Sequence, residues 1–210
     1  MTDRTKVFCI GFHKTGTTSL YAALTTLGYR VSGTFCHKMS AEDIAKNGAS
    51  LCIDRMQEFD AAEDMPWPHF YRDLDKAYPG SKFVLTTRDK DAWFRSIDNH
   101  FGHQETPLNA SAYGASFAKA RDNKDHWQSV YAQHYEDVRN YFKDRPDDLL
   151  ELDLAAGDGW QKLCPFLDQD IPSTPFPVKN TSATRQSLAY RVKRKLWIWA
   201  GRTPHPERLV

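Results

Sequence analysis

The segment that most constrains this chain lies near its start, where Val7-Phe8-Cys9-Ile10 runs into Gly11-Phe12-His13-Lys14-Thr15-Gly16-Thr17-Thr18-Ser19-Leu20. A short apolar run ending at glycine predicts a buried strand, and the spacing of Leu20, Ala23, Leu24 and Leu27 predicts a helix that ends at Gly28. The turn between them gathers several backbone N–H groups at one point, where the helix N-terminus adds a partial positive charge and Lys14 a full one. Gly11 and Gly16 permit close backbone approach, and Thr15, Thr17, Thr18 and Ser19 supply hydroxyl donors. That is a site for a dianion. The nucleotide triphosphatase loop G-x-x-x-x-G-K-[ST] places its lysine directly after the second glycine. Here Thr17 follows Gly16 and the lysine precedes it, so the loop is related to that pattern but rewired.

With 210 residues the chain is expected to form one domain, residues 1–210, with a full hydrophobic core. Lys and Arg number 28 against 27 Asp and Glu, so no global field points to nucleic acid and any anion binding must be local. Met1 to Lys6 is polar and no run approaches the ~18 apolar residues of a membrane span, which predicts a soluble, cytoplasmic protein. Cys9, Cys36, Cys52 and Cys164 lie far apart with no zinc spacing, so reduced thiols and no metal site are expected.

Along the chain, Tyr29-Arg30-Val31 reads as a second strand and 32–38 as a loop. Ser40-Ala41-Glu42-Asp43 has capping-box chemistry for a short helix ending near Asn47-Gly48, with a further strand at Leu51–Ile53. Residues 60–68 form a turn-rich approach to a helix over 69–78. A strong strand at 82–87 ends at Arg88-Asp89 and leads into a helix over 91–101, with Trp93, Ile97 and Phe101 on one face. Residues 102–111 read as a polar loop. A long helix follows to about Asp144, then a strand at 149–154, a helix at 160–167 and a proline-rich turn at 171–177. The tail, 182–200, has the pattern of a basic amphipathic helix, either a solvated face over the sheet or a peripheral membrane contact. Strands alternating with helices predict a three-layer α/β/α fold with a central parallel sheet, in which ligands bind at the carboxyl ends of the strands. That rule brings Arg88 to the loop of Lys14. A regular helix from Asp89 projects Ser96, about two turns on, toward the same face, and an arginine with a serine forms a second anion-binding pair.

Lys14-Thr15-Gly16-Thr17-Thr18-Ser19 resembles the 5′-phosphosulfate loop of the sulfotransferases that use 3′-phosphoadenosine 5′-phosphosulfate. Arg88 at a strand end, followed by Ser96, resembles their 3′-phosphate motif. Asp64-Met65-Pro66, Tyr78-Pro-Gly-Ser-Lys-Phe-Val-Leu85, Trp93 and Gly159-Trp160 extend the likeness to a compact bacterial-type branch, over most of residues 6–180. The resemblance implies sulfuryl transfer without a divalent metal, adenosine 3′,5′-bisphosphate as the product, and Lys14 on the leaving oxygen. It further implies Thr17 and Thr18 at the 5′-phosphate, Arg88 and Ser96 at the 3′-phosphate, and Asp64 as the base, with helix capping as its ordinary alternative and His37 and His69 as other bases. The glycine- and lysine-containing segment that closes over the 3′-phosphate in cytosolic animal enzymes has no counterpart, and Arg185, Arg191 and Lys193 are the cations offered in its place. Two rival readings are a phosphate-loop kinase or nucleotidase and a catalytically silent donor-binding protein. The acceptor, whether small molecule, carbohydrate or lipid, has no readable motif; the segments 34–40 and 102–115 are expected to shape its pocket.

Overall fold

Residues 4–179 are described by the structure, a computed structural model. At its centre is an all-parallel five-stranded sheet in the order β2-β3-β1-β4-β5. Strand β1 (Val7–Cys9) lies between β3 (Ala61–Ala62) and β4 (Lys82–Thr86), with β2 (Val31–Ser32) and β5 (Leu149–Leu152) at the edges. Because side chains alternate along a strand, Phe8, Ile10, Phe83 and Leu85 pack on one face while Val7, Cys9 and Val84 pack on the other. The first face is covered by α2 (Ala41–Arg55), α3 (Tyr71–Ala77), α4 (Lys90–Phe101), α5 (Pro107–Tyr113) and α6 (Lys124–Phe142); the second by α1 (Thr17–Thr26) and α7 (Trp160–Phe166). The three-layer α/β/α architecture is thus as the alternation of elements predicts.

Helix α6 buries Trp127, Tyr131, Tyr135, Val138 and Phe142, a stripe at intervals of three and four that anchors the first layer. Several local expectations are corrected. Instead of a helix stopping at Asn47-Gly48 and a strand at Leu51–Ile53, a single helix runs to Arg55. Gly48 does not terminate it: the ring of Phe70 packs where a Cβ would be, and Ile44, Gly48 and Cys52 form one buried stripe at intervals of four. The strand between β2 and β1 is instead Ala61–Ala62, two small residues with no periodicity to reveal them. The stretch 102–111, expected as loop, contains the start of α5, with Pro107 in its first turn and the Thr106 hydroxyl accepting from Asn109 N–H at 3.1 Å. The helix expected over 69–78 is a 3₁₀ turn, Trp67–Phe70, followed by α3. The tail at 182–200 lies outside the described residues. Among the described residues no helix is long and apolar enough to cross a membrane.

Candidate functional site

Parallel strands present their carboxyl ends along one edge, and four of the five deliver residues to a common cleft there. The loop after β1 contributes His13 to Gly16, the segment after β3 Asp64, β4 Arg88, and β5 Leu154 and Ala155. With Thr17, Thr18 and Ser19 of α1, Ser96, His100 and Phe101 of α4, and Val178 and Lys179, they enclose about 320 Å³. Lys14, Thr15, Gly16, Thr17, Thr18, Ser19, Asp64, Arg88 and Ser96, all singled out in the sequence, therefore line one cavity.

Two glycines are required by the local geometry. A Cβ on Gly11 would fall inside Thr86, so only glycine lets β1 leave the sheet against the end of β4. Gly16 has φ 109°, and a Cβ there would stand 2.7 Å from Leu154 Cδ1. Lys14 also adopts a left-handed φ of 68°, a strain of about 1–3 kcal/mol for a non-glycine residue. Two side chains hold it: Arg88 Nη1 donates to Lys14 O at 3.0 Å, and Trp93 Nε1 donates to His13 O at 2.9 Å. Among the described residues the amides of Thr15, Gly16 and Thr17 donate to no backbone carbonyl, as the head of a helix requires of an anion cradle.

The hydroxyls divide into two roles. Thr15 Oγ1 donates to Phe12 O at 2.6 Å and receives Thr86 Oγ1 at 2.6 Å, so it braces the loop from within. Ser19 Oγ accepts from Lys179 N–H at 2.9 Å and fastens the chain beyond the proline-rich segment over the first turn of α1. Thr17 and Thr18 head the helix at the cleft, with the Thr17 side chain reaching Asp64.

Arg88 is fixed by its backbone: Tyr131 Oη accepts from Arg88 N–H at 3.2 Å and donates to Arg88 O at 2.9 Å. Among the described residues its Nε is buried without a hydrogen-bond partner, an orphaned donor on a residue that lines the cleft. Ser96 reaches the same cavity because α4 starts sharply, with the Asp89 carboxylate accepting from Ala92 N–H at 2.8 Å.

Asp64 leaves β3 with φ 67°, ahead of the cis Met65–Pro66 bond. Its Oδ1 accepts from Met65 N–H at 2.9 Å and its Oδ2 from the Thr34 hydroxyl at 3.2 Å. It is not the cap of the following turn, which bonds to Asp64 only through the backbone, Trp67 N–H to Asp64 O at 3.2 Å. Burial raises its carboxyl above the ordinary aspartate value, against the pull of these hydrogen bonds and of the Lys14 charge. A carboxylate beside a lysine, kept more basic than usual, is suited to accepting a proton.

The histidines sort themselves by place. His37 is exposed, and neither it nor His69 lines the cleft. His69 instead borders a second cavity of about 410 Å³ with Phe12, Tyr71 and His134, and burial followed by His134 lowers it to about 4. The histidines that do line the cleft are His13 and His100, both passed over by the sequence reading; His13 Nε2 is 2.9 Å from Tyr113 Oη. Position in the phosphate loop was the only signal for His13, and Tyr113, 100 residues away, had none. Arg185, Arg191 and Lys193 lie outside the described residues. Among the described residues no three His, Cys, Asp or Glu side chains are grouped to hold a metal ion, and all four cysteines are free and buried.

The structure is thus a three-layer α/β/α fold with a strand–loop–helix bearing Lys14 at the carboxyl edge of its sheet, the edge at which such folds bind their ligands. The chain belongs to the sulfotransferase domain family, whose model matches residues 6–185. It is also similar to the Ava biosynthesis cluster protein M of Aspergillus versicolor, at 25% identity over 82% of this chain and 79% of that protein. Membership supports sulfuryl transfer as the general chemistry.

Proposed function

We propose that this protein transfers a sulfuryl group from 3′-phosphoadenosine 5′-phosphosulfate to a hydroxyl or amine of a small acceptor in the cytoplasm. The observation that carries the reading is the meeting of the Lys14 loop with Arg88 and Ser96 in one cleft, with Arg88 Nε buried and unpartnered among the described residues. The donor brings two phosphates and a reactive sulfuryl group, and the site holds two matching sets of cations and donors. The amides of 15–17 and the heads of Thr17 and Thr18 suit the 5′-phosphate. Arg88 and Ser96 suit the 3′-phosphate, which ATP lacks. A neighbouring cavity of about 460 Å³ shares Ser19, Leu154 and Val178 with the cleft and has room for the adenine.

Within this site Asp64 takes the proton of the acceptor, and Lys14 stabilises the negative charge that develops on the departing phosphate oxygen. The charge on the sulfuryl group is low enough for positioning and fixed cations to suffice. Four buried reduced thiols suit a cytoplasmic location.

Calorimetry tests the reading directly. Adenosine 3′,5′-bisphosphate without metal is expected to bind more tightly than ATP with magnesium, and Arg88→Ala to lose that preference. Tight binding of ATP with magnesium alone would replace the proposal with a kinase or nucleotidase.

A further inference from the structure

His13 is not used by the function proposed above, yet it lines the same cleft one residue before Lys14. It is only 7% exposed and its ring is held by aromatic neighbours: Trp93 parallel at 6.4 Å, Trp127 at 5.9 Å, and the edge of Phe101 at 5.0 Å. Trp93 also ties the His13 carbonyl, so backbone and ring are fixed together. Among the described residues, the contact between Nε2 and Tyr113 Oη at 2.9 Å is the one side-chain hydrogen bond that either group makes.

Counting protons on this pair sets the tautomer. Tyr113 is 2% exposed and burial pushes its phenol well up, so it keeps its hydrogen. Were Nε2 also protonated, it would donate to Oη and leave the buried phenol hydrogen without an acceptor, a penalty worth about tenfold or more in the tautomer ratio. Tyr113 therefore donates to Nε2, and the ring hydrogen sits on Nδ1, which has no hydrogen-bond partner among the described residues yet is not shut away from solvent as Arg88 Nε is, on a residue that lines the cleft. The ring stays neutral beside Lys14, since burial, and then the charges of Lys14, His69 and His100, lower it to about 3.

We propose that His13 donates a hydrogen bond from Nδ1 to a non-bridging oxygen of the sulfuryl group during transfer, with Tyr113 as the positioning residue that fixes its tautomer. This rests on the sulfotransferase reading. Proton and electron movements are then divided among three residues. Asp64 takes the proton of the acceptor as the acceptor's bond to sulfur forms. Lys14 faces the phosphate oxygen that departs with the electron pair of the broken S–O bond. His13 gives up no proton and holds the group in flight. A neutral donor beside a lysine adds a directed hydrogen bond without a second positive charge to repel Lys14.

Two measurements test it. In ¹⁵N-histidine NMR of the full chain, His13 is expected as the neutral Nδ1–H form from about pH 5 to about pH 8, and Tyr113→Phe is expected to release that preference. A neutral Nε2–H form, or an imidazolium in that range, would overturn the proposal. The second measurement compares the affinities of 3′-phosphoadenosine 5′-phosphosulfate and adenosine 3′,5′-bisphosphate. His13→Gln keeps a partner for Tyr113 but no donor toward the cleft. It is expected to weaken the sulfated donor about tenfold and leave the bisphosphate unchanged, whereas His13→Asn, which restores a donor near Nδ1, regains most of the loss. Equal loss for both ligands, or no loss for either, refutes the role of His13. Failure of the wild-type protein to bind the bisphosphate would instead refute the sulfotransferase reading on which the role depends.

Discussion

Acid should unfold this protein earlier than its carboxylates alone would dictate, because three histidines, His13 buried and His69 and His134 partly buried, are held in neutral form. Burial is the leading cause at each: His13 is lowered from 6.5 to about 3, His69 to about 4 and His134 to about 4. His134 stacks on Phe12 at 4.3 Å and bonds to Ile10 O, and burial outweighs the Ile10 carbonyl and Asp137, which favour its charged form, with Arg72 adding to the depression. A depressed folded value means that the unfolded chain binds the proton first. The stability from each group is therefore complete above about pH 6.5 and is lost as the pH falls toward the folded value. Between about pH 7 and pH 5 each histidine loses about 2 kcal/mol, about 6 kcal/mol together. That is comparable with the ~5–15 kcal/mol total of an ordinary domain. Asp75 and Asp158, held below 3.8 by Arg145 and Lys162, act only at lower pH, and Asp64, with its raised value, gives back a part as it protonates. Urea titrations at pH 7 and pH 5 measure the difference, and a His69→Gln, His134→Gln double variant should lose about two-thirds of the dependence. Equal stability at the two pH values, or an unchanged dependence in the double variant, would refute the reasoning.

Three further outcomes follow from the site and its scaffold. Lys14→Ala should lower sulfuryl transfer by about 10²–10³-fold, the usual loss for one preorganised charge-stabilising donor, and transfer at the wild-type rate would remove Lys14 from the mechanism. Asp64→Asn should abolish turnover while sparing binding of adenosine 3′,5′-bisphosphate. Since the base must be ionised and its pKa is raised, the acid limb of the wild-type pH–rate profile should lie above the ordinary aspartate value of 3.8. Gly11→Ala should destabilise by about 1–3 kcal/mol through its collision with Thr86, lowering the melting temperature by about 2–4 °C per kcal/mol.

The amino-acid sequence by itself determined whatever depends on neighbours along the chain. The apolar runs at Val7–Cys9 and Lys82–Thr86 announce two of the three inner strands, glycines bound the loop between β1 and α1, and Ser40 starts α2 by accepting from Asp43 N–H at 3.0 Å. That Lys14, Arg88 and Ser96 share one cleft was legible too, since parallel strands must place their carboxyl ends on one edge, whereas His13, His100 and Leu154 in its lining were not. Only the tertiary structure decided what depends on contacts between distant segments. Ala61–Ala62 is a strand because β1 and β2 flank it, and Gly48 continues a helix because Phe70 fills the space beside it. The Thr15 hydroxyl turns inward because the Thr86 hydroxyl, 71 residues on, donates to it there. His13 Nε2 meets the Tyr113 hydroxyl because α5 brings it there from 100 residues away. Such pairings leave no periodic mark, because the chain meets them only after the sheet has brought its loops together.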